Sequence, residues 1–304
     1  MSWYRPAGSL AAEGADVLIT PATADWAFSG LRVLTLTGAP ITIDLGEDEA
    51  VIVPLSARNV VVELDGTSFL LIGREGVFAA VSDWLYLPRD SRITIRGNSG
   101  ELAVCTARAR EARVPVYTPA SQVPVEVRGA GRSSRQVTNI ATPDSFAGAD
   151  RINVCEVITP GGNWSSWPPH RHDGIGDCPF TNEEIYYFRM GRNDSPHGAP
   201  AAHGLFHVYT VDESVDETVT IRDGDVYLVP QGFHGPTVAP PEYPMYFLNV
   251  LAGPGETRTM AFCDDPDHHW IRDSWANQQV DPRLPWTTAE GRTPQSWTST
   301  GGTT

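Results

Sequence analysis

The sequence predicts an all-β protein built from two antiparallel units. Its apolar segments are short, rich in β-branched residues and separated by turn residues, as in Leu31 to Leu36, Ile41 to Leu45 and Val60 to Leu64. This rhythm is typical of a sandwich or barrel of antiparallel strands. Long helices are disfavoured because 28 glycines and 25 prolines are spread over 304 residues. No strands alternate with long amphipathic helices, so a parallel α/β fold is not expected.

Two sets of predicted strands are separated by a segment rich in proline, glycine, serine and arginine. The first set lies within residues 1–120, and the second runs from about Ile152 to Val250. We therefore predict a first domain of residues 1–120, a linker of residues 121–150 and a second domain of residues 151–280. Residues 281–304 form a polar tail that is expected to pack loosely.

An internal repeat indicates that the two domains are related. Asp83 to Pro88 and Asp225 to Pro230 each consist of an acidic residue, four strand residues and a proline. Further on, Arg92 stands where the second copy has His234. All eight histidines lie after residue 169, so histidine chemistry is expected in the second domain alone. The first domain is predicted to share the fold and to lack metal ligands.

Composition excludes several classes of function. All 22 basic residues are arginine, which excludes a Schiff-base lysine, a pyridoxal-phosphate lysine and a P-loop lysine. A formal net charge of -15 argues against partners such as nucleic acid or an anionic membrane. No apolar stretch approaches the ~18 residues of a membrane span. The expected partner is a small molecule, and a homo-oligomer is left open.

The four cysteines are widely spaced and form no Cys-x-x-Cys pair. They are Cys105, Cys155, Cys178 and Cys263. This spacing argues against a thiolate zinc site and a thioredoxin-type motif. We predict reduced structural thiols in a cytoplasmic protein.

Three histidines and a glutamate in the second domain form the main candidate site. His170 and His172 are two residues apart, so on a strand they point to the same side. Glu184 begins a predicted strand, and His234 follows another strand through a Pro-x-Gly turn. Three imidazoles and a carboxylate suit one divalent ion, such as zinc, manganese, iron, nickel or copper. Glu183 competes with Glu184, but the phase of the strand favours Glu184.

The paired histidines, the downstream glutamate and the histidine after Pro-x-Gly resemble the two motifs of the cupin superfamily. Longer runs resemble more narrowly the 5-deoxy-glucuronate isomerase family of bacterial inositol catabolism. These runs are Gly162 to Asp173, Glu183 to Tyr187, Arg222 to Asp225, Val229 to His234, Leu248 to Pro254 and Asp264 to Trp270. The resemblance covers about Val17 to Arg272. The eleven residues between His172 and Glu184 depart from the usual cupin spacing, and Arg171 stands where the isomerase family commonly has lysine.

The resemblance implies a bicupin of two jelly-roll barrels, also called double-stranded β-helices, with a metal in the second. The resemblance makes zinc the first candidate for this metal, because the similar 4-deoxy-5-ketouronate isomerases are cupins with zinc. It also implies an aldose–ketose isomerase that converts 5-deoxy-D-glucuronate to 5-dehydro-2-deoxy-D-gluconate through a metal-assisted enediolate. A metal-dependent cupin dioxygenase and a non-catalytic bicupin that binds or stores a ligand are the alternatives, because a ligand set alone does not fix the reaction.

An isomerisation of this kind needs a base and a group that holds the substrate carboxylate. Tyr186 is the first candidate for the base because it shares a strand face with Glu184, and Glu156 and Tyr246 are weaker candidates. A metal-bound hydroxide, or a hydride shift that needs no base, stays open. Arg222 and Arg151 are the candidates for the carboxylate, because arginine offers a bidentate fork.

Overall fold

Antiparallel strands dominate the computed structural model, which describes residues 3–297. The all-β prediction is confirmed. The strands of the first half are β1 (Tyr4–Arg5), β2 (Val17–Ile19), β3 (Ser29–Thr35), β4 (Ile41–Asp44), β5 (Asp48–Pro54), β6 (Arg58–Leu64), β7 (Thr67–Gly73), β8 (Trp84–Leu87), β9 (Arg92–Arg96), β10 (Glu101–Arg108), β11 (Val116–Thr118), β12 (Val125–Arg128) and β13 (Arg135–Ala141).

The second half continues the same pattern to the end of the described chain. Its strands are β14 (Asn153–Thr159), β15 (Trp164–Ser165), β16 (His170–Arg171), β17 (Glu183–Arg192), β18 (Ser195–Gly198), β19 (His203–Tyr209), β20 (Asp216–Arg222), β21 (Val226–Val229), β22 (Phe233–Val238), β23 (Met245–Ala252), β24 (Cys263–Asp264), β25 (Thr287–Thr288) and β26 (Gly291–Arg292). The two α-helices are single turns, α1 (Pro21–Ala24) and α2 (Ile271–Ser274), and 3-10 turns span Ala120–Gln122, Gly131–Ser133, Trp275–Asn277 and Pro294–Trp297.

Each domain consists of a larger and a smaller sheet with an apolar core between them. In the first domain, the six-stranded sheet β11-β8-β5-β10-β3-β2 packs on the four-stranded sheet β4-β9-β6-β7. In the second, the eight-stranded sheet β1-β21-β17-β23-β14-β13-β12, to which β18 is added, packs on β20-β19-β22-β16-β24, to which β15 is added. The second arrangement brings β17 of the large sheet opposite β22 of the small one.

A third apolar core joins the two domains through their larger sheets. Side chains alternate between the two faces of a strand, so each central strand serves two cores. Ile52 lies inside the first domain, whereas its neighbour Val51 lies in the core between the domains. Likewise Tyr186 lies inside the second domain, and Ile185 lies between the domains. The phase of a strand therefore decides whether a side chain can reach the interior of the second barrel.

Strands from the first domain and from the predicted linker cross the predicted domain limits and join the large sheet of the second domain. β1 pairs with β21 of the second domain, and β12 and β13 join the second domain's large sheet from within the range expected to be a linker. The limits at residues 120, 150 and 280 stay a prediction. The expectation of a loosely packed tail is wrong for Leu284 and Trp286, which are buried. This part of the tail is held against β13, because Gln136 Oε1 accepts hydrogen bonds from the backbone N–H groups of Trp286 and Thr287. Residues 298–304 of the predicted tail lie outside the described residues.

Within residues 3–297, no helix is long and apolar enough to cross a membrane.

Candidate metal centre and active site

Three predicted ligands converge between the two sheets of the second domain. His172 follows β16, Glu184 lies on β17 and His234 lies on β22, and all three are buried. One nitrogen or oxygen of each lies within 4.8 Å of the other two. The Nε2 atoms of His172 and His234 lie 3.0 Å and 3.1 Å from Glu184 Oε2. Sheets that are adjacent in space thus bring together residues that are far apart in sequence.

His170 borders this group without belonging to its tightest part. Cross-strand pairing of β16 with β22 sets His170 opposite His234. The ring centroids of these two histidines are 4.5 Å apart, and those of His170 and His172 are 6.4 Å apart. All four predicted ligands therefore face one another, three of them closely.

The orientation of the imidazoles fits a bound cation. His172 Nδ1 lies 2.8 Å from the carbonyl oxygen of Asn182, and His234 Nδ1 lies 3.3 Å from that of Gly232. Because carbonyl oxygens only accept, the N–H of each ring is on Nδ1, and the lone pair on Nε2 faces Glu184. His234 Nε2 is a buried atom with no hydrogen-bond partner among the described residues. Lone pairs of nitrogen and oxygen this close repel unless a positive charge lies between them, so the donor set fits a divalent ion.

The pKa shifts of Glu184 and His170 agree with this interpretation, whereas the pKa of His172 is raised because its contact with Glu184 outweighs the effect of burial. Burial alone would raise the pKa of Glu184, but the neighbouring imidazoles of His172 and His234 outweigh it and hold the pKa below its ordinary value. Burial and the two neighbouring imidazoles hold the pKa of His170 well below its ordinary value. The carboxylate is thus ionised and His170 is neutral, which are the forms that bind metal.

Glu183, the competing candidate, points away from the site. Its carboxylate accepts hydrogen bonds from the backbone N–H groups of Ala27, Phe28 and Ser29 at 2.6, 2.8 and 2.8 Å. These residues belong to the first domain, so Glu183 joins the domains while Glu184 faces the barrel interior. The alternation along β17 separates the two roles.

A cavity of about 250 Å³ adjoins the histidines. Tyr186 lies on its wall with its hydroxyl 3.3 Å from Ser166 Oγ. Burial, and next the charge of Glu184, raise the pKa of Tyr186 well above its ordinary value. The phenol is therefore protonated at neutral pH, which suits a donor of a hydrogen bond or proton better than the base for which Tyr186 was a candidate.

Glu156 and Tyr246, the weaker candidates for the base, lie on the opposite face of the large sheet. Tyr246 donates a hydrogen bond of 2.7 Å to Glu156 Oε1, and Arg74 of the first domain forms an ion pair with the same carboxylate. The group is buried in the core between the domains. Neither residue lines the cavity, because β14 and β23 turn these two positions outward from the barrel, so their assignment as the base is not supported by their position.

The two arginines expected to hold a carboxylate also lie elsewhere. Arg151 donates to the carbonyl oxygen of Gly253 at 2.5 Å, and its guanidinium stacks over the ring of Phe28. Arg222 is exposed at the end of β20. Neither lines the cavity, so the assignment of Arg151 and Arg222 to that role is not supported by their position.

Three other arginines line the cavity and were missed in the sequence. Arg128 and Arg135 lie in the range taken for a linker, and Arg272 follows the turn at Asp264 to His269. Asp264 accepts hydrogen bonds from Arg272 Nη2 at 2.6 Å and from His269 Nδ1 at 2.9 Å. That turn thus positions an arginine at the cavity. Nothing in the local sequence distinguishes these arginines from surface ones.

The prediction of four reduced cysteines is wrong for one pair. Cys178 and Cys263 form a disulfide with their Cα atoms 5.8 Å apart, while Cys105 and Cys155 are free and buried. The pair is separated by 85 residues, and only the pairing of β24 with β16 brings Cys263 to the segment after His172. The disulfide fixes the inserted loop between His172 and Glu184 at the edge of the small sheet.

Arg171 stabilises the same loop from the side opposite the histidines. It is buried, and its guanidinium pairs with Asp173 at 3.1 Å and with Asp177 at 2.5 Å. It also stacks over the ring of Phe233 at 5.2 Å. Arginine in place of the family's usual lysine therefore supplies a guanidinium group whose N–H donors pair with two carboxylates.

Paired antiparallel barrels, with histidines and a glutamate converging inside the second, define the chain as a two-domain cupin. Solved structures agree with this fold: oxalate decarboxylase of Bacillus subtilis matches with a TM-score of 0.55 at 12% identity, covering 81% of this chain and 74% of that one. The chain belongs to the KduI/IolB family, whose model matches residues 3–271.

Relatives within the family are similar along most of their length. A 5-deoxy-glucuronate isomerase of Geobacillus kaustophilus is 38% identical over 88% of this chain and 95% of its own. One of Bacillus subtilis strain 168 is 34% identical over 83% of this chain and 91% of its own. The crystal structure of an IolB-like protein of Salmonella typhimurium LT2 matches with a TM-score of 0.76 at 33% identity, covering 86% of this chain and 96% of that one.

Proposed function

We propose that the protein is a sugar-acid isomerase that converts 5-deoxy-D-glucuronate to 5-dehydro-2-deoxy-D-gluconate in inositol catabolism. The names and the 34–38% identities of the curated relatives support this substrate. The observation that carries the proposal is the convergence of His172 Nε2 and His234 Nε2 on Glu184 Oε2 beside a cavity. Such a site suits the polarisation of a carbonyl group.

His170, His172, Glu184 and His234 would hold the metal ion, with zinc as the first candidate and manganese, iron or nickel as the alternatives. When bound, a divalent ion supplies a Lewis acid for the substrate carbonyl and positive charge for the enediolate oxygens. The hydrogen bonds from Nδ1 of His172 and His234 to backbone carbonyls keep Nε2 available and fix the ring orientation. These side chains are thus set before substrate arrives.

Tyr186 is placed to serve the oxygens of the substrate. Its protonated hydroxyl lies on the cavity wall, and Ser166 Oγ is its polar contact at 3.3 Å. A phenol in this state donates a hydrogen bond to an oxygen whose negative charge grows during the reaction. The apolar neighbours of Tyr186, which include Phe206 and Phe247, exclude water from its ring and strengthen that hydrogen bond.

Anaerobic turnover with the metal removed and restored tests the proposal. The purified protein is treated with a chelator, dialysed, and assayed on 5-deoxy-D-glucuronate by NMR with and without added zinc or manganese. We expect conversion to the ketose only after metal is restored, at equal rates with and without oxygen. Full activity after chelation, or oxygen consumption coupled to turnover, would contradict the proposal, and the second result would favour a dioxygenase.

A further inference from the structure

Arg135 is a buried cation on the cavity wall without a carboxylate partner. Its side chain is 9% exposed, and its Nη1 donates to the carbonyl oxygen of Ser133 at 3.0 Å. Within residues 3–297 it enters no ion pair, whereas the two neighbouring arginines of the cavity do. Arg272 pairs with Asp264, and Arg128 pairs with Glu126 at 2.5 Å.

The surroundings of Arg135 destabilise its charged form. Burial first, and then the charges of Arg272 and Arg128, lower the pKa of Arg135 to about 9. The ring of Trp275 offsets part of the cost, because it contacts both Arg135 and Arg272, with Cζ atoms 5.6 Å and 5.3 Å from its centroid. A buried charge without its counterion is strongly destabilising, so such an arginine in a cavity indicates an anionic ligand.

Other groups on this wall also offer hydrogens and lack acceptors. Trp275 Nε1 and Asn249 Nδ2 are buried donors with no hydrogen-bond partner in the described part of the chain. Both residues line the cavity. Unsatisfied buried donors are rare in folded proteins and point to a ligand that accepts hydrogen bonds.

We propose that Arg135 and Trp275 bind the carboxylate of the sugar-acid substrate. This inference rests on the proposed function and extends it to the choice between an acid and a neutral sugar. Arg135 lies on β13 and Glu184 on β17, three strands apart in the large sheet, so the two ends of one substrate can face the arginine and the histidines. A cavity of about 250 Å³ suits a small metabolite rather than a polymer.

The kinetic test compares two substrates that differ only in the carboxylate. These are 5-deoxy-D-glucuronate and 5-deoxy-D-glucose, in which a hydroxymethyl group replaces the carboxylate. Arg135→Gln is expected to lower kcat/KM for the acid about 30-fold or more, as for other truncated partners of a buried charge pair, and to leave kcat/KM for the neutral sugar unchanged. Arg135→Lys should lose less, because it keeps the charge without the fork.

Arg132→Gln is the matched control, since Arg132 is an exposed arginine three residues away that does not line the cavity. It should leave both kcat/KM values unchanged.

The free energy of urea unfolding shows whether Arg135 acts in substrate binding or in packing. Arg135→Gln should be no less stable than wild type, because it removes an uncompensated buried charge. Loss of stability with an unchanged ratio of acid to neutral activity would overturn the proposal.

A binding measurement keeps the inference separate from the isomerase itself. Calorimetry on the metal-loaded protein with D-glucuronate and D-glucose should show a preference for the acid in wild type and none in Arg135→Gln. If this preference is found but 5-deoxy-D-glucuronate is not turned over, the proposed function fails and the carboxylate site stands. If wild type binds both sugars equally, or the variant keeps the preference, the carboxylate site is refuted.

Discussion

Replacing Glu156 with glutamine should destabilise the protein and leave its chemistry intact. The side chains of Arg74 and Glu156 are 2% and 4% exposed, and Tyr246 donates to the same carboxylate. Removing one partner of a buried pair leaves the other charge uncompensated, which costs about 3–5 kcal/mol. With an unfolding entropy of about 2.1 cal/mol/K per residue, that free energy corresponds to a fall in Tm of roughly 5–8 °C for 304 residues.

The assay measures urea unfolding and kcat on the same preparation at pH 7. Glu63→Gln is the matched control, because Glu63 pairs with Arg96 at 3.3 Å on the surface, with both side chains at least 40% exposed. Its effect on the free energy of unfolding should be within about 1 kcal/mol. Arg74→Met combined with Glu156→Leu should recover most of the lost stability, since no buried charge remains.

A different result would restore Glu156 as a candidate for the catalytic base. If Glu156→Gln lowered kcat by about 10²-fold or more while the free energy of unfolding stayed at the wild-type value, the placement of this residue between the domains would be refuted.

Four further outcomes are expected. Glu184→Gln should abolish metal content by elemental analysis, whereas Glu183→Gln should keep the metal and lower Tm; the reverse result would exchange their roles. Tyr186→Phe should lower kcat about 10²-fold with little change in metal content, as for loss of one donor to a developing oxyanion; unchanged kcat would refute its role. Cys178→Ala should cost about 2–4 kcal/mol in urea unfolding under oxidising conditions, and nothing once wild type is reduced. Solvent deuterium should enter the product at C1, as NMR can detect, and complete retention of the C2 hydrogen would favour a hydride shift.

The strands and the candidate ligands could be predicted because each leaves a local signal. Short β-branched runs between turn residues mark strands wherever they fold, and β21 has the bounds expected for it, Val226–Val229. The His-x-His pair and the histidine after Pro-x-Gly are motifs of fixed spacing. Strand phase also indicated Glu184 over Glu183, because the glutamate and Tyr186 are two residues apart.

The faces of Glu156 and Tyr246 could not be predicted in the same way. Their strands are buried on both sides, one by the barrel core and one by the core between the domains. A strand that is apolar on both faces loses the alternation from which its phase is read. Arg135 escaped notice for another reason: it directly follows the Gly- and Ser-rich segment Gly129 to Ser134, and its place in the sheet depends on its pairing with Arg128 of β12.

The pairing of β1 with β21 bears on how this chain can be divided. Tyr4 and Arg5 complete the edge of the sheet that carries Glu184, and the backbone N–H groups of residues 27–29 donate hydrogen bonds to the Glu183 carboxylate next to it. A gene fragment beginning after residue 120 would leave that edge and an apolar sheet face open to solvent, and open strand edges favour aggregation. The halves are therefore not interchangeable modules, because each supplies contacts that complete the structure of the other.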